Sequence, residues 1–323
     1  MDMMTRLTSE STDDGFRRDV LLGLSPERYA IPARWLYDRR GSELFEEITK
    51  LPEYYPTRTE TALLERYCDE LVPITGTNRV VVEFGSGSST KTPHLLKAVK
   101  PSAYVPIDIS GEFLEHSAAL LQPEFPDLPI YPVEADFTKP IMLPEAVKSL
   151  PKLGFFPGST IGNMIARTSV ELLNSMRETL GVGSQLLIGI DRIKDPKVLQ
   201  SAYDDASGVT AQFSLNLFHR INRELDANIP VDSFRHVAIW NDLYARIEIY
   251  LEALNVVLFT VSGQDFTLSK GQRIHIENSH KYGIRDARLM LRASGWSPLR
   301  EWSDEQDYFS LMLVEAHPLK YAP

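Results

Sequence analysis

VVVEFGSGSSTKT, residues 80–92, is the stretch whose reading decides the fold. Three valines lead into Glu83 and Phe84, a glycine-rich turn follows (Gly85, Ser86, Gly87), and a polar segment then opens a helix. An unbroken run of β-branched residues is the pattern of a parallel strand covered on both faces. Gly85 and Gly87 allow backbone angles and a close ligand approach that a side chain would block. The N–H groups of such a turn, leading into a helix, cradle an anionic or polar ligand. The stretch is half of a nucleotide-type site.

Working outward, strands and helices alternate. A helix is predicted from about Thr90 to Val99, a strand over 103–107 ending at Asp108, and a helix over 111–121. A strand over 130–133 ends near Asp136-Phe137, and a fourth over 153–156 runs into the loop 157–163, PGSTIGN. A helix over 168–180 and a strand over 185–190, ending at Asp191, complete the series. This order implies a parallel sheet with helices on both faces. Ligands of such sheets bind outside the carboxyl ends of the strands, where Gly85, Asp108, Asp136, Asn163 and Asp191 fall.

After Asp195-Pro196 the alternation stops. Residues 197–228 read as largely helical. Residues 234–280 read as antiparallel strands (HVAIW, RIEIYLEAL, VVLFTV and QRIHIEN), with SGQD supplying a turn. A helix over 284–293 and a reversed strand pair, 296–302 and 309–315, end the chain. Upstream, 13–22 reads as a short helix, and Leu44, Ile48 and Leu51 have helical spacing. The proline-bounded segment 51–57 is expected to be an ordered non-helical loop, with Thr59 capping a helix to about Leu71. Residues before about Thr12 are expected to fray. The organisation expected is an α/β sheet domain of residues 59–193 plus 282–323. A smaller α+β domain is built from 13–58 plus 194–281.

The chain has 323 residues, 43% hydrophobic and 24% charged, as an ordinary globular protein does. Its net charge of −10, without a basic run, makes it a poor ligand for phosphate backbones, so nucleic acid is set aside. One cysteine, Cys68, forms no internal disulfide and suits a reducing cytoplasm. No apolar stretch has the length of a membrane span. The seven histidines show no metal-ligand spacing, and G-x-S-x-G is absent, so neither a metal centre nor a serine hydrolase is expected.

Two adenosine cofactors compete for the glycine turn. Asp108, at the end of the second strand, suits a ribose diol. Asp136-Phe137 offers an acceptor for an adenine amine and an apolar ring face. A dinucleotide fingerprint needs a third glycine where this chain has Thr90. The reversed strand pair at the end looks like the class I S-adenosylmethionine-dependent methyltransferase fold, which is Rossmann-like. Together these favour S-adenosylmethionine. Lys91 reads either as the partner of the cofactor carboxylate or as a solvated helix lysine.

Four stretches carry a resemblance: WLYDRRGSELFEEITKLPEYYPTRTE (35–60), VEFGSGSSTKT (82–92), PGSTIGN (157–163) and AYDDASGVTAQF (202–213). RIEIYLEA (246–253) and IENSHKY (276–282) continue it. The chain resembles the histidine Nα-methyltransferases of ergothioneine biosynthesis over nearly its whole length. The resemblance implies three methyl transfers from S-adenosylmethionine to the α-amine of L-histidine, giving hercynine. It further implies that Asn163 and Tyr203 hold the substrate carboxylate, and that Tyr54, Glu277 and Ser279 address the imidazole. Tyr37 would sit at the amine as the catalytic residue, with Phe45 and Gly158 shaping the space around the methylated nitrogen. Gly85, Ser86, Gly87, Lys91, Asp108, Asp136 and Phe137 would bind the cofactor. Ile249 stands where the histidine enzymes can carry methionine, in a position that tunes pocket volume. Related tryptophan enzymes lack the acid at the Glu277 position. A monomer acting on a small molecule is expected. The alternatives are methylation of another amino acid such as tryptophan, and a nucleotide-binding module without turnover.

Overall fold

Every residue of Val80–Phe84 (β1) is buried, and the two faces of the strand enter different cores. The structure, a computed structural model, describes residues 12–87, 91–139 and 141–317, so the expected fraying before Thr12 lies outside the described residues. Val80, Val82 and Phe84 pack into one cluster with Leu172, Leu173, Leu291 and Trp296. Val81 packs into the other with Leu64, Leu95, Leu96 and Phe155. Burial on both faces is why the strand is written without polar alternation.

The helices and strands of this sheet unit are as follows. Tyr55–Thr75 is α3, Thr92–Val99 α4, Gly111–Leu121 α5, Ala166–Leu180 α6, Pro196–Tyr203 α7 and Ile284–Ala293 α9. Ala103–Asp108 is β2, Val133–Glu134 β3, Lys152–Phe156 β4, Gln185–Asp191 β5, Trp296–Ser303 β11 and Phe309–Ala316 β12. The seven-stranded sheet has the order β11-β12-β5-β4-β1-β2-β3. β1 pairs in parallel with β2 and β4, while β12 runs antiparallel between β5 and β11. Successive strands step from β1 outward to β2 and β3, then return past β1 to β4, so the strand order reverses beside β1. The carboxyl ends there form the mouth of the sheet.

The smaller unit contains Thr12–Gly23 (α1), most of Arg39–Ile48 (α2) and Val209–Glu224 (α8). Its strands are Phe234–Asn241 (β6), Arg246–Ala253 (β7), Val257–Val261 (β8), Gln264–Leu268 (β9) and Arg273–His280 (β10). β10, β7 and β6 form one sheet, and β8 and β9 a hairpin. The segment Tyr29–Ile31 adds to the edge of β10, with His275 N donating to Tyr29 O and Ile31 N to His275 O. That is how the N-terminal residues join a unit made mostly of much later ones. The compact units divide at Phe45/Glu46 and Tyr203/Asp204, and again within β6, β7 and β10.

Several expectations need correction. α3 begins at Tyr55 rather than Thr59, and Thr59 lies inside it, so neither the non-helical reading of 55–57 nor the Thr59 cap stands. Pro56 suits the first turn, where its missing N–H is not needed, and Arg58 closes the preceding turn by donating to Leu51 O and Pro52 O. The strand expected over 130–133 reduces to Val133–Glu134 plus an isolated bridge from Ile130 to Tyr104. The helical stretch 197–228 is two helices. Asp205 interrupts it by accepting from Val209 N and Thr210 N, which starts α8 afresh. β9 was missed: positive φ at Ser262 and Gly263 makes the two-residue turn that pairs it with β8.

Candidate active site

The residues expected to bind the cofactor lie at or after the carboxyl ends of β1, β2 and β3. Gly85 N and Ser86 N both donate to Ile107 O, which ties the turn to β2. Gly85 has φ +71°, which favours glycine, and a Cβ there would stand 3.3 Å from the Phe137 ring and crowd it over the turn. Phe137 meets Phe156 edge to face at 5.8 Å. Gly87 N donates to Asp108 Oδ2 at 2.9 Å and Ser110 N to Oδ1 at 3.1 Å, fixing that carboxylate beside the turn. Asp136 accepts from Thr138 N at 3.0 Å. The Ser86 hydroxyl is buried without a hydrogen-bond partner among the described residues. A buried hydroxyl needing a partner, a glycine under an aromatic ring and two half-buried carboxylates fit an adenosine cofactor.

Lys91 is not a solvated helix lysine. Its ammonium pairs with Glu60, which is fully buried and also accepts from Gly158 N at 3.0 and 2.9 Å. One buried carboxylate therefore ties the segment after the glycine turn to the loop after β4. Glu60 escaped notice in the sequence, although helical spacing puts it on the buried face with Leu64 and Leu71.

Glu83 is fully buried and accepts from Thr92 Oγ1 at 2.7 Å and Tyr104 OH at 2.6 Å. Burial pushes its carboxyl up to about 7, against those two donors and Lys91. A folded-state value above the unfolded one favours folding below about pH 4.5, and that contribution is lost as pH rises through about 7. Across that window the loss is roughly 1.4 kcal/mol per pH unit. Glu83→Gln keeps an oxygen acceptor without the charge. It is expected to raise the melting temperature at pH 8 but not at pH 5, measured by differential scanning calorimetry. Equal shifts at both pH values would refute the assignment.

A second constellation lies at the ends of β5 and β10. The 3₁₀ turn Thr160–Asn163 carries Asn163. A Cβ on Gly162 would stand 2.7 Å from His280 O, and His280 Nδ1 lies 2.8 Å from Gly162 O. Asn163 is thereby brought to the segment bearing Ser279. Tyr203 OH and Ser279 Oγ are 2.7 Å apart, and the Tyr54 ring meets the Tyr203 ring edge to face at 6.0 Å. Beneath them Asp191 accepts from Tyr55 OH (2.8 and 2.9 Å), Lys194 (2.5 Å) and Lys281 (2.6 Å). Burial alone would push the Asp191 carboxyl up, but the two ammoniums hold it below its ordinary value. Burial pushes Lys194 down to about 8 against the pull of Asp191. It also pushes the Tyr55 phenol well up, with Asp191 adding to the shift. In the sequence Asp191 stands out only as a strand end, and Tyr55 only as one of two adjacent tyrosines. A buried role for Lys194 and Lys281 has no periodic signature.

In the smaller unit, Tyr37 stands edge to face with Phe45 at 5.7 Å and with Phe213 at 5.4 Å. The adjacent Asp38 fixes this segment by accepting from Gly41 N, Asn216 Nδ2 and Arg223. Glu277 is buried on β10, and Ile249 is buried on β7. Cys68 is buried in α3, where burial and then Asp69 push its thiol up to about 12, far from nucleophilic. Among the described residues no cluster of His, Cys, Asp or Glu could hold a metal ion, and no helix is long and apolar enough to cross a membrane.

The strand order, with an antiparallel strand set between β5 and β11, and the glycine turn with its two carboxylates define a Rossmann-like, S-adenosylmethionine-dependent methyltransferase of class I. A solved S-adenosylmethionine-dependent methyltransferase from Clostridium acetobutylicum superposes with a TM-score of 0.53 at 11% identity, covering 85% of this chain and 99% of that one. The family model of histidine-specific, S-adenosylmethionine-dependent methyltransferases matches residues 16–316. The chain belongs to this family. A histidine N-alpha-methyltransferase of Mycolicibacterium smegmatis is 36% identical over 97% of this chain and 99% of its own length. Ergothioneine biosynthesis protein 1 of Neurospora crassa is 27% identical over 88% of this chain and 33% of its own length.

Proposed function

We propose that this protein methylates the α-amino nitrogen of L-histidine three times, yielding hercynine, as the first step of ergothioneine biosynthesis. The observation that carries this reading is the histidine-specific family match over residues 16–316, which takes in every side chain given a role below. The names of the Mycolicibacterium and Neurospora relatives support the substrate and the pathway.

S-adenosylmethionine, bound by Gly85, Ser86, Gly87, Lys91, Asp108, Asp136 and Phe137, supplies an electrophilic sulfonium methyl. The ribose diol suits Asp108, and the adenine amine and ring suit Asp136 and Phe137. Lys91 has three donors, so pairing with Glu60 leaves capacity for the cofactor carboxylate. Asn163 and Tyr203 donate to the substrate carboxylate. Tyr54, Glu277 and Ser279 address the imidazole, where the Glu277 carboxylate accepts from a ring N–H and favours that tautomer. Phe45 and Gly158 shape the space at the methylated nitrogen, and a ring face favours the cation formed. Tyr37, Phe45 and Glu277 belong to the smaller unit. The working form proposed is a cytoplasmic monomer.

An α-ammonium with pKa ~8 must lose a proton before its nitrogen can attack. Tyr37, with an ordinary phenol pKa of ~10, is a poor standing base, so its role is to orient the amine lone pair. Tyr37→Phe is expected to lower kcat about 10²-fold while KM for histidine changes little. Unchanged turnover at each methylation would remove Tyr37 from the chemistry. The substrate assignment is tested by calorimetric titration with S-adenosylhomocysteine present. Histidine is expected to bind and tryptophan not, and tighter binding of tryptophan would reverse the assignment.

A further inference from the structure

Lys281 follows β10 directly, and its side chain is 1% exposed. Its ammonium donates to Asp191 Oδ2 at 2.6 Å, Tyr203 OH at 2.8 Å and Ser279 Oγ at 2.8 Å. An ammonium has three hydrogens and accepts nothing, so these partners saturate it. Its place is set by backbone bonds on both sides: Lys281 N donates to Ala245 O, and Tyr282 N to Asp191 O.

We propose that Lys281 is a positioning residue that occupies one lone pair on each oxygen of the Tyr203–Ser279 pair, holds the two hydroxyls together and thereby orients the amino-acid substrate. The proposal rests on the reading that this pair touches the substrate. Both hydroxyl oxygens accept from Lys281, and they lie 2.7 Å apart, so one must donate to the other. A carboxylate takes only donors. If Tyr203 serves the carboxylate, its hydrogen goes there and Ser279 donates to the Tyr203 oxygen. Ser279 then keeps a lone pair for an imidazole N–H. The opposite direction would spend the Tyr203 hydrogen on Ser279 and turn an oxygen lone pair towards the carboxylate. The ammonium also polarises Tyr203 O–H, and charge-assisted bonds are the stronger ones. With Lys194 on the same aspartate, the buried group has two ammoniums for one carboxylate, an excess that favours an anionic end of the substrate.

The test is a cycle of Lys281→Met with the double variant Tyr203→Phe/Ser279→Ala. Asp191 keeps Lys194 and Tyr55 in Lys281→Met, which is expected to fold. KM for histidine should rise about 30-fold, with kcat and the Kd for S-adenosylhomocysteine within about threefold of the parent. In the double-variant background Lys281→Met should add less than about threefold. The same 30-fold loss in both backgrounds, or a parallel loss of S-adenosylhomocysteine binding, would reduce Lys281 to a structural residue and overturn the proposal. If Tyr203→Phe/Ser279→Ala alone leaves histidine binding unchanged, the substrate reading of the pair falls and the proposal with it. Should Lys281→Met not fold, Lys281→Gln, a neutral side chain with two donors, enters the same cycle with an expected loss of about tenfold.

Discussion

Glu277→Ala is expected to lower kcat/KM for histidine by about 10²- to 10³-fold, while S-adenosylhomocysteine binding changes by less than about threefold. Glu277 is buried on β10 at 8% exposure. In the role proposed for it, the buried Glu277 carboxylate accepts from an imidazole N–H, a donor that tryptophan presents differently, so substrates without the matching donor are expected to bind less well. Removing the carboxylate therefore removes discrimination as well as affinity. Glu277→Gln keeps an acceptor oxygen but not the charge, so its loss should be smaller, about tenfold. Steady-state kinetics with histidine, paired with calorimetry on the cofactor product, separates the two effects. Equal losses in both would make Glu277 a structural residue.

Asp191→Ala is expected to cost about 3–5 kcal/mol of stability, read as the shift in a urea unfolding midpoint at pH 7. The aspartate is 1% exposed and pairs with two ammoniums whose side chains are 4% and 1% exposed. Removing it strands two buried cations. Lys194, already pushed down to about 8 by burial despite the aspartate, would lose the group that keeps it charged. Raising the pH should therefore narrow the deficit of the variant, because a neutral Lys194 no longer needs its partner. A cost below about 1 kcal/mol at neutral pH would show that the network is not the anchor its geometry implies.

The sheet was legible because its strands are buried on both faces and end in recognisable groups. Val80–Phe84, Ala103–Asp108 and Gln185–Asp191 announce themselves as apolar runs closed by a glycine turn or an aspartate. Of the reversed pair at the end, Phe309–Ala316 was legible for the same reason, whereas Trp296–Ser303 buries chiefly its two tryptophans. Val133–Glu134 was not, since a two-residue edge strand has no period to read. Tyr55 as a helix start was obscured by Pro56, which marks a loop and a first helical turn equally. Ser86, Asp108 and Phe137 could be placed from the turn outward because the fold fixes where strand ends lie. Tyr203 and Ser279 came from long family motifs, and nothing in their spacing alone reveals that they touch. Glu60, Lys194 and Lys281 act through tertiary pairing between segments far apart in the chain, on which local periodicity is silent.

The reaction proposed converts histidine into its trimethylated α-amine. The most direct measurement is the mass of the product formed by the purified protein with excess S-adenosylmethionine and an equimolar mixture of histidine and tryptophan. Histidine carrying three added methyl groups, all on the α-nitrogen by NMR, is expected, with tryptophan unchanged. Three methyl groups on tryptophan and none on histidine, or no methylated amino acid despite binding of S-adenosylhomocysteine, would contradict it.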